Sequence, residues 1–413
     1  MTGLAIFAGV LAGPAAAVAA CLVAALLAIP SVVLLIEVLL ARRPIRPPAD
    51  DLAKLSPRLA VLIPAHNEAG GIAATIACIT NQIAKLEPAQ GHRIIVVADN
   101  CSDYTAAVAR ACGATVIERT DADRRGKGYA LDYGVRFLEA DPPEVVIVVD
   151  ADCLLSDGAL QSLAKACVAS QRPIQARYLM RFPDGSGAPG ARIAELALLV
   201  KNWVRPQGLA RWDLPCPLLG SGMAFPWAIM STVELASGNI VEDMRLGSDL
   251  VAAGHGPRYL SSVLVHSTFP VALDGQQSQR KRWEHGHLQT LLTQVPKLLR
   301  NGIRGADMAM IAFALDLAVP PLALLALTLF GAFAVAVLAW FAGLSLLPAV
   351  ILLAAIVTLL LAVGLAWDRF ARDLLGFAEL RSIPAYALRK IPVYLRFVFA
   401  RQTAWIRSRR DHE

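Results

Sequence analysis

Two long apolar stretches, one at each end of the chain, flank a central region in which polar and apolar residues alternate in shorter runs. Residues 3 to 40 contain a single charged side chain, that of Glu37, and residues 317 to 367 contain none. An apolar run of about 20 residues is long enough to cross a bilayer as a helix. The pattern predicts an N-terminal transmembrane anchor over residues 1–41 and a C-terminal transmembrane region of about two spans over residues 305–368.

The first apolar stretch is expected to be a retained anchor rather than a cleaved signal peptide. No Lys or Arg precedes it, and it is much longer than the usual core of a signal peptide. Pro14 and Pro30 could divide it into a hairpin of two spans, but no polar turn separates the two halves. One continuous span is therefore favoured, and the hairpin remains the alternative.

The C-terminal apolar block is interrupted near its start by Asp316 and by the pair Pro320-Pro321. A charge at mid-membrane is costly, so residues 305–319 are expected at the interface, with spans over about 321–343 and 346–367. A role for Asp316 in an acceptor path is the alternative. The tail, residues 369–413, mixes basic and aromatic residues and is typical of a helix on an anionic membrane surface.

Basic residues lie next to both apolar stretches: Arg42, Arg43 and Arg46 follow the first, and Lys297, Arg300 and Arg304 precede the second. Basic segments stay on the cytoplasmic side of a membrane, so the central region and the C-terminus are expected to be cytosolic. The formal net charge of +6 then arises mainly from the membrane flanks, and no nucleic-acid partner is expected. The seven cysteines show no paired spacing, which fits a reducing compartment and no zinc site.

Four apolar runs in the central region have the composition of buried strands: residues 58–64, 92–99, 115–117 and 145–150. Helical stretches separate them, and strands alternating with helices predict an α/β fold with a mostly parallel sheet covered on both faces. Ligands of such sheets bind at the carboxyl ends of the strands. A binding edge is therefore expected where three of the runs end in polar residues, namely His66, Asn67 and Glu68; Asp99, Asn100 and Asp103; Asp150 and Asp152.

The sequence Asp150-Ala151-Asp152 places two carboxylates at the end of the fourth run. Close like charges favour a bound cation, and hard oxygen ligands suit Mg²⁺ or Mn²⁺, which in turn neutralise phosphates. A solvated turn before a helix is the alternative. Lys127, in a Gly-rich turn over residues 124–131, could reach the same phosphates from a helix start, although such charged loops are commonly only solvated.

Two later segments also carry candidate chemistry. Glu242 and Asp243 open an amphipathic helix, where a carboxylate could act as a general base towards an acceptor hydroxyl or could only favour the helix start. Gln279, Arg282 and Trp283 fall on one face of a helix expected to continue to residue 299. This face could hold a diphosphate and a sugar ring, or the helix could lie on the membrane with its indole as an anchor.

Taken in order, these motifs resemble those of membrane-bound family 2 glycosyltransferases, relatives of cellulose, chitin-oligosaccharide and hyaluronan synthases and of ceramide glucosyltransferase. The resemblance covers about residues 58–300 and rests on seven motifs in a fixed order: Pro-x-x-Asn-Glu, a strand-ending Asp, Gly-Lys-Gly, Asp-x-Asp, Gly-Ser-Gly, Glu-Asp and Gln-x-x-Arg-Trp. It implies a GT-A-like nucleotide-sugar-binding domain over residues 42–275, an interfacial helix over 276–304, Mg²⁺ or Mn²⁺ as cofactor, and single displacement with inversion of the anomeric centre.

The resemblance also implies a role for each matching residue. Asp243, with Glu242 beside it, would be the catalytic base. Asp152, with Asp150, would bind the metal. The acceptor would be bound by Gly220, Ser221, Gly222 and Trp283. The nucleotide sugar would be bound by Pro64, Asn67, Glu68, Asp99, Lys127, Asp150, Asp152, Gln279, Arg282 and Trp283.

The chain departs from the pattern of this family in two respects. Many relatives carry Asp-Asp-Gly-Ser after the second strand, whereas this chain has Ala98-Asp99-Asn100-Cys101, so that one carboxylate is kept. Only about three spans are evident, which is fewer than a polymer-conducting channel uses.

The leading hypothesis is transfer of a sugar from a UDP-sugar to a lipid-linked or saccharide acceptor at the cytoplasmic face. An Ala-rich composition favours a bacterial inner membrane and an envelope or exopolysaccharide pathway. The second hypothesis is a processive polysaccharide synthase that acts as a homo-oligomer or with a partner channel of the envelope pathway. The third is a membrane protein that only binds a nucleotide sugar, or a transporter.

Overall fold

A mixed eight-stranded sheet forms the centre of the computed structural model, which describes residues 13–43, 57–86, 91–183, 189–236, 241–270 and 273–399. The order of strands in the sheet is β3-β2-β1-β4-β7-β6-β8-β5. Four of the seven neighbouring pairs are parallel, which confirms the expected α/β fold with a mostly parallel sheet. The strands are β1 Leu59–Ala65, β2 Arg93–Asp99, β3 Thr115–Arg119, β4 Val145–Val148, β5 Leu154–Leu155, β6 Ile174–Arg181, β7 Met223–Pro226 and β8 Arg258–Thr268.

Strand β1 shows why the predicted apolar runs become strands of a doubly covered sheet. Leu59, Val61 and Ile63 pack into one hydrophobic core, and Ala60 and Leu62 pack into another. Successive side chains of a strand point to opposite faces, so a run that is apolar at every position fills a core on each side. The periodicity alone therefore identified β1, β2 and β4 within one or two residues of their ends.

The fourth predicted strand is shorter than expected. It was predicted over residues 145–150, but β4 ends at Val148, and Asp150 lies in the turn beyond it. The backbone N–H of Asp150 donates to Ser221 Oγ at 3.0 Å. A side chain from the loop before β7 therefore replaces the strand partner and fixes the direction of the turn.

Helices cover the two faces of the sheet and position the site. One of them is a π-helix, Val200–Val204, a rare form that is frequent at functional sites. The remaining helices of this part are α2 Ile72–Ile83, α3 Thr105–Ala111, α4 Lys127–Leu138, α5 Ala159–Ser170, α6 Pro189–Leu199, α7 Arg205–Ala210, α8 Trp227–Met230 and α9 Glu242–Ala252.

Within the described residues, three helices are long and apolar enough to cross a membrane: α1 Pro14–Ala41, α13 Leu322–Phe341 and α14 Leu347–Phe370. Helix α1 continues through Pro30, so the described part of the N-terminal stretch is one helix and the hairpin is not formed there. Residues 1–12 of the predicted anchor lie outside the described part. The short helix α12, Met308–Leu317, precedes the proline pair, as expected for a segment before the spans.

The helix that carries Gln279, Arg282 and Trp283 does not continue to residue 299 as predicted. Helix α10, Leu273–Thr293, ends there, and α11, Val295–Arg304, begins after it. Pro296 occupies the first turn of α11. Because proline has no N–H and its ring clashes with the preceding turn, the single predicted helix is divided in two.

The predicted surface helix of the tail is also divided, into α15 Ile383–Arg389 and α16 Ile391–Phe399, with Pro392 at the start of the second. Residues 400–413 of that prediction lie outside the described part. Helix α16 packs onto α10: His285 Nε2 lies 3.1 Å from the carbonyl oxygen of Val393, and its ring contacts Phe397 edge-on.

A buried ion cluster joins α1, α7 and α12. The Nε of Arg205 donates to Glu37 Oε2 at 3.2 Å and to Asp316 Oδ1 at 3.1 Å, and all three side chains are less than a tenth exposed. Beside it, a Cβ on Gly208 would come within 2.3 Å of the carbonyl oxygen of Glu37, so the two helix backbones are in direct contact. Asp316 therefore lies in a packed cluster between α1, α7 and α12.

Candidate active site

A cavity of about 230 Å³ lies at the carboxyl ends of β1, β2 and β4, where the sequence predicted a binding edge. It is closed on the opposite side by α9 and α10. Twelve of the predicted site residues line it: Pro64, Glu68, Asp99, Lys127, Asp150, Asp152, Gly220, Glu242, Asp243, Gln279, Arg282 and Trp283. The topology thus brings together side chains that are more than 200 residues apart in the sequence.

Lys127 and Asp150 form the centre of the cavity. The Nζ of Lys127, from the first turn of α4, donates to Asp150 Oδ1 and to the carbonyl oxygen of Gly220 at 2.7 Å. Burial by itself would lower the pKa of Lys127, but Asp150 and Glu242 outweigh it and raise that pKa well above its ordinary value. The amine therefore remains a cation in the cavity, where it could neutralise a phosphate.

The carboxylates of Asp150 and Asp152 and the thiol of Cys153 lie together, with ligand atoms within 4.8 Å of one another. Burial raises the pKa of the Cys153 thiol well above its ordinary value, so the sulfur stays protonated. A protonated thiol is a poor ligand, which leaves the two carboxylates as the available donors. This set fits a hard divalent cation such as Mg²⁺ or Mn²⁺ and does not favour zinc.

Glu242 and Asp243 begin α9 on the other side of the cavity. Asp243 Oδ1 accepts a hydrogen bond from the N–H of Met244 at 2.8 Å, which fixes the carboxylate at the start of the helix. Burial and the neighbouring Asp243 raise the pKa of Glu242 to about 7. When two neighbouring carboxyl groups lie in different environments, one can carry a proton while the other acts as a base.

Gly220 lies between the Asp243 carboxylate and the Lys127 ammonium group. Its φ is +93°, and a Cβ at this position would be 3.3 Å from Asp243 Oδ2 and 3.5 Å from Lys127 Nζ. A glycine is therefore required for two reasons, the left-handed backbone and the room that the two charged groups need. Ser221 and Gly222 do not line the cavity; Ser221 is buried behind Asp150, and Gly222 packs against Val265.

Helix α10 presents Gln279, Arg282 and Trp283 on one face towards the cavity, as the helical spacing predicted. Gln279 is 7% exposed. Trp283 is partly buried and packs against the hydrophobic core that contains Val61 and Ile63. The indole is therefore part of the cavity wall, so its predicted place at the site agrees with the structure better than the alternative of a membrane anchor.

One end of the cavity is formed by the ends of β1 and β2. The Nδ1 of His66 lies 2.7 Å from the carbonyl oxygen of Asp99, and Arg119 Nη1 donates to Asp99 Oδ1 at 2.7 Å. The guanidinium of Arg119 also lies over the ring of Tyr129, 5.5 Å from its centroid. Asn67 does not line the cavity and instead exchanges hydrogen bonds with Ser102.

Several residues that line the cavity were not predicted from the sequence. Lys201 and Asn202 come from the π-helix, and Tyr178 and Met180 come from β6. None of them belongs to a short motif, and the strand β6 was not predicted. The sequence contains one signal for Lys201: it is the only charged residue between Glu195 and Arg205, in a largely apolar segment.

Comparison with known proteins connects this geometry to a family. The family model described as "Glycosyltransferase like family 2" matches residues 57–286, more than half of the chain. The low-salt glycan biosynthesis hexosyltransferase Agl6 of Haloferax volcanii is 39% identical over 99 residues, which are 24% of this chain and 22% of that protein. The probable glycosyltransferase YdaM of Bacillus subtilis is 24% identical over 246 residues, 57% of this chain and 56% of its own. The chain thus spans about a fifth of the first relative and about half of the second.

Solved structures of similar shape include the mannosyltransferase PcManGT from Pyrobaculum calidifontis in complex with GDP-Man and Mn²⁺. It is 17% identical, with a TM-score of 0.49 over 91% of this chain and 100% of its own. The glucosyl-3-phosphoglycerate synthase from Mycobacterium tuberculosis, in complex with Mn²⁺, UDP-glucose and phosphoglyceric acid, is 22% identical, with a TM-score of 0.36 over 52% and 75% of the two chains.

Proposed function

The chain belongs to glycosyltransferase family 2, and we propose from this premise that it transfers a sugar from a UDP-sugar to a lipid-linked or saccharide acceptor, with inversion of the anomeric centre. Family membership confirms the enzyme class that the motifs predicted and agrees with the GT-A-like α/β fold. The donor, the acceptor, the membrane face and the pathway are the proposal. We place the reaction at the cytoplasmic face of a bacterial inner membrane, in envelope or exopolysaccharide synthesis.

One observation carries the proposal: a carboxylate, an ammonium group and an acidic metal site converge around Gly220. Asp243 Oδ2 and Lys127 Nζ both lie close to this glycine, and Lys127 reaches Asp150. A direct displacement needs a base on the acceptor side and positive charge on the leaving diphosphate. The cavity supplies both within one site.

In this mechanism Asp243 accepts the proton of the acceptor hydroxyl as that oxygen attacks the anomeric carbon from the face opposite the diphosphate. The bond to the diphosphate breaks in the same step, so the configuration inverts. Lys127 and Arg282 hold the departing phosphate oxygens, because both present donors to the cavity. Trp283 offers its ring plane to the acceptor sugar or head group.

Asp150 and Asp152 would hold Mg²⁺ or Mn²⁺, which when bound supplies Lewis-acid neutralisation of the diphosphate. Asp152 is the proposed direct ligand because Lys127 already donates to Asp150 Oδ1. At the other end, Asp99 would accept from the uracil ring. Arg119 and Asn100 both donate to Asp99 Oδ1, which orients the carboxyl group towards the base.

Transfer of one sugar or a few is favoured over processive synthesis. Within the described residues only three helices could span a membrane, whereas export of a growing polymer needs a wide protein-lined path. A ladder of saccharide products, in place of a single added sugar, would instead support the processive alternative, with a homo-oligomer or an envelope partner providing the path.

The test measures nucleotide release by the purified protein in detergent, across several UDP-sugars and GDP-mannose, with Mg²⁺, with Mn²⁺ and with chelator. We expect turnover with a UDP-sugar that requires the metal and falls at least about 100-fold in Asp243→Asn and Asp152→Asn. Asp249→Asn is the matched control, since Asp249 lies on the same helix and pairs at the surface with Arg245. Turnover that survives in Asp243→Asn would remove the proposed base, and turnover only with GDP-mannose would remove the proposed donor.

A further inference from the structure

A second cavity, of about 420 Å³, lies between the catalytic domain and the C-terminal spans. Its wall is formed by α6 and the π-helix on one side, by α13 and α14 on another, and by α10 and α15 at its ends. The lining is almost entirely apolar. We call it the apolar chamber; residues that represent its walls are Ile193, Ala326, Leu360, Val363, Gly364 and Ala387.

The apolar chamber adjoins the catalytic cavity, and three side chains separate or border the two spaces. Leu198, Lys201 and Trp283 line both spaces. Trp283 therefore has one part in the wall of the catalytic cavity and another in the wall of the chamber. A molecule that filled the chamber would have its end at the junction, on the acceptor side of the cavity, where Asp243 also lies.

A few charged side chains line the chamber, among them Arg205 of the buried ion cluster. Lys201 lies at the junction, and among the described residues no carboxylate is at ion-pair distance from its amine. Burial lowers the pKa of Lys201, and the negative charge of Asp243 opposes that effect. At the other end, Lys390 of the tail is paired with Glu284 of α10. His287, on the wall, stays neutral, because burial and Lys201 lower its pKa to about 3.

The position of the chamber relates it to the membrane. Two of its walls are α13 and α14, which are long and apolar enough to cross a bilayer. Its volume is within the range of small-molecule sites, which are mostly apolar with a few placed polar groups. An apolar space of this kind, with a cation at its inner end, matches a molecule that has a hydrocarbon chain and a polar head.

We propose that the apolar chamber holds the hydrocarbon chain of the acceptor, which is a membrane lipid whose polar head passes Lys201 and Trp283 to reach Asp243. This inference rests on the proposed function, since it assigns the acceptor of that reaction. The chain enters from the bilayer along α13 and α14, so the head arrives at the catalytic cavity without leaving the membrane surface. Lys201 is a positioning residue that attracts the oxygen-rich head.

The test fills the chamber at Gly364, which lies on its wall in α14. A Cβ at Gly364 meets no heavy atom within 4 Å, so Gly364→Phe adds a ring at the wall of the chamber without a clash at the Cβ. The matched control is Gly331→Phe, on α13. A Cβ at Gly331 also meets nothing within 4 Å, and Gly331 does not line the chamber.

The probes are butyl, hexyl and octyl glucosides and the corresponding alkyl phosphates, used as acceptors below the concentration at which they form micelles. In the native protein we expect KM to fall by up to about fourfold for each added methylene, in at least one of the two series. The series that responds identifies a hydroxyl or a phosphate head. We expect Gly364→Phe to abolish the dependence on chain length and Gly331→Phe to retain it.

Metal-dependent binding of the donor is measured in parallel, because it separates the two proposals. If the donor binds to all three proteins but KM does not depend on chain length, the lipid acceptor is refuted and the proposed function stands. The same conclusion follows if Gly364→Phe keeps the native dependence, as it would if a second copy of the chain occupied the chamber. If no nucleotide sugar binds, the proposed function fails and this inference with it.

Discussion

Replacement of Arg205 tests the buried ion cluster, in which one guanidinium serves two carboxylates. In Arg205→Met the new side chain fills much of the same space, but Glu37 and Asp316 are left buried and without a counter-ion. Removal of one partner from a buried ion pair costs about 3–5 kcal/mol, because the remaining charge is not compensated. For a chain of this length such a loss lowers the thermal midpoint by roughly 4–6 °C.

A surface pair provides the matched control. Arg42 donates to Asp368 at 3.2 Å and also joins the end of α1 to α14, but both side chains are about a third exposed. Exposed pairs contribute about 0–1 kcal/mol, so Arg42→Met should shift the midpoint by about 1 °C or less. The assay is the thermal midpoint of purified protein in one detergent, followed by intrinsic fluorescence.

Two further variants make the reasoning specific. The cluster contains two acids and one base, so one carboxyl group can stay protonated, and Glu37→Gln should cost less than about 1 kcal/mol. The triple variant Glu37→Gln, Arg205→Met, Asp316→Asn removes every charge and should recover most of the lost stability. Equal midpoints for Arg205→Met and Arg42→Met, or no recovery in the triple variant, would refute this account of the cluster.

Three other predictions concern the active site. Gly220→Ala should lower kcat at least about tenfold, because the new Cβ crowds the Asp243 carboxylate and the Lys127 ammonium group. Gly254 is the control, since it has a φ of +80° and open space around it. Gly254→Ala should lose only about 1 kcal/mol of stability and no activity. Glu242 has a pKa raised to about 7 from an ordinary value of 4.5, so the native protein loses stability as pH rises between these values. Glu242→Gln should therefore be more stable than the native protein near pH 8, by about 1–2 kcal/mol after allowance for the partial exposure of Glu242. Below about pH 5 the two proteins should be equally stable. If the thermal midpoints of the variant and the native protein were equal at both pH values, the raised pKa would be contradicted. Arg119→Ala should raise KM for the donor about tenfold with little change in kcat, because the carboxylate at the end of β2 loses its partner, whereas Arg110→Ala, in an exposed pair, should change neither.

The catalytic cavity could be predicted from the sequence because its main parts follow short apolar strands. Asp99 and Asp150 come directly after runs whose composition identifies them as buried, and parallel strands bring their carboxyl ends to one edge. Lys127 and Asp243 lie in the first turns of helices that begin at that edge. Local patterns were sufficient for these residues because the sheet supplies their arrangement.

The remaining features depend on contacts that no local pattern contains. Strands β5 to β8 were not predicted because their runs are short or mixed. In β8 the alternation of buried and more exposed positions, regular from Val263 onwards, is interrupted at residues 260–262. Lys201 reaches the cavity through a π-helix, which has no simple sequence signal. Ser221 was expected at the acceptor, but its hydroxyl is needed behind Asp150, where β4 has ended. The apolar chamber arises only where α13 and α14 come together with α6 and the π-helix.

The contact between Gly208 and the backbone of Glu37 limits how this enzyme can diverge. Since α1 touches α7 without any intervening side chain, the N-terminal helix is a folded part of the catalytic unit and not an interchangeable tether. Recombination that exchanged the first helix for that of a distant relative would bring a larger residue or a different helix angle into this contact. The N-terminal helix and the catalytic domain should therefore be inherited together, and substitutions at positions 37, 205, 208 and 316 should be correlated among its descendants.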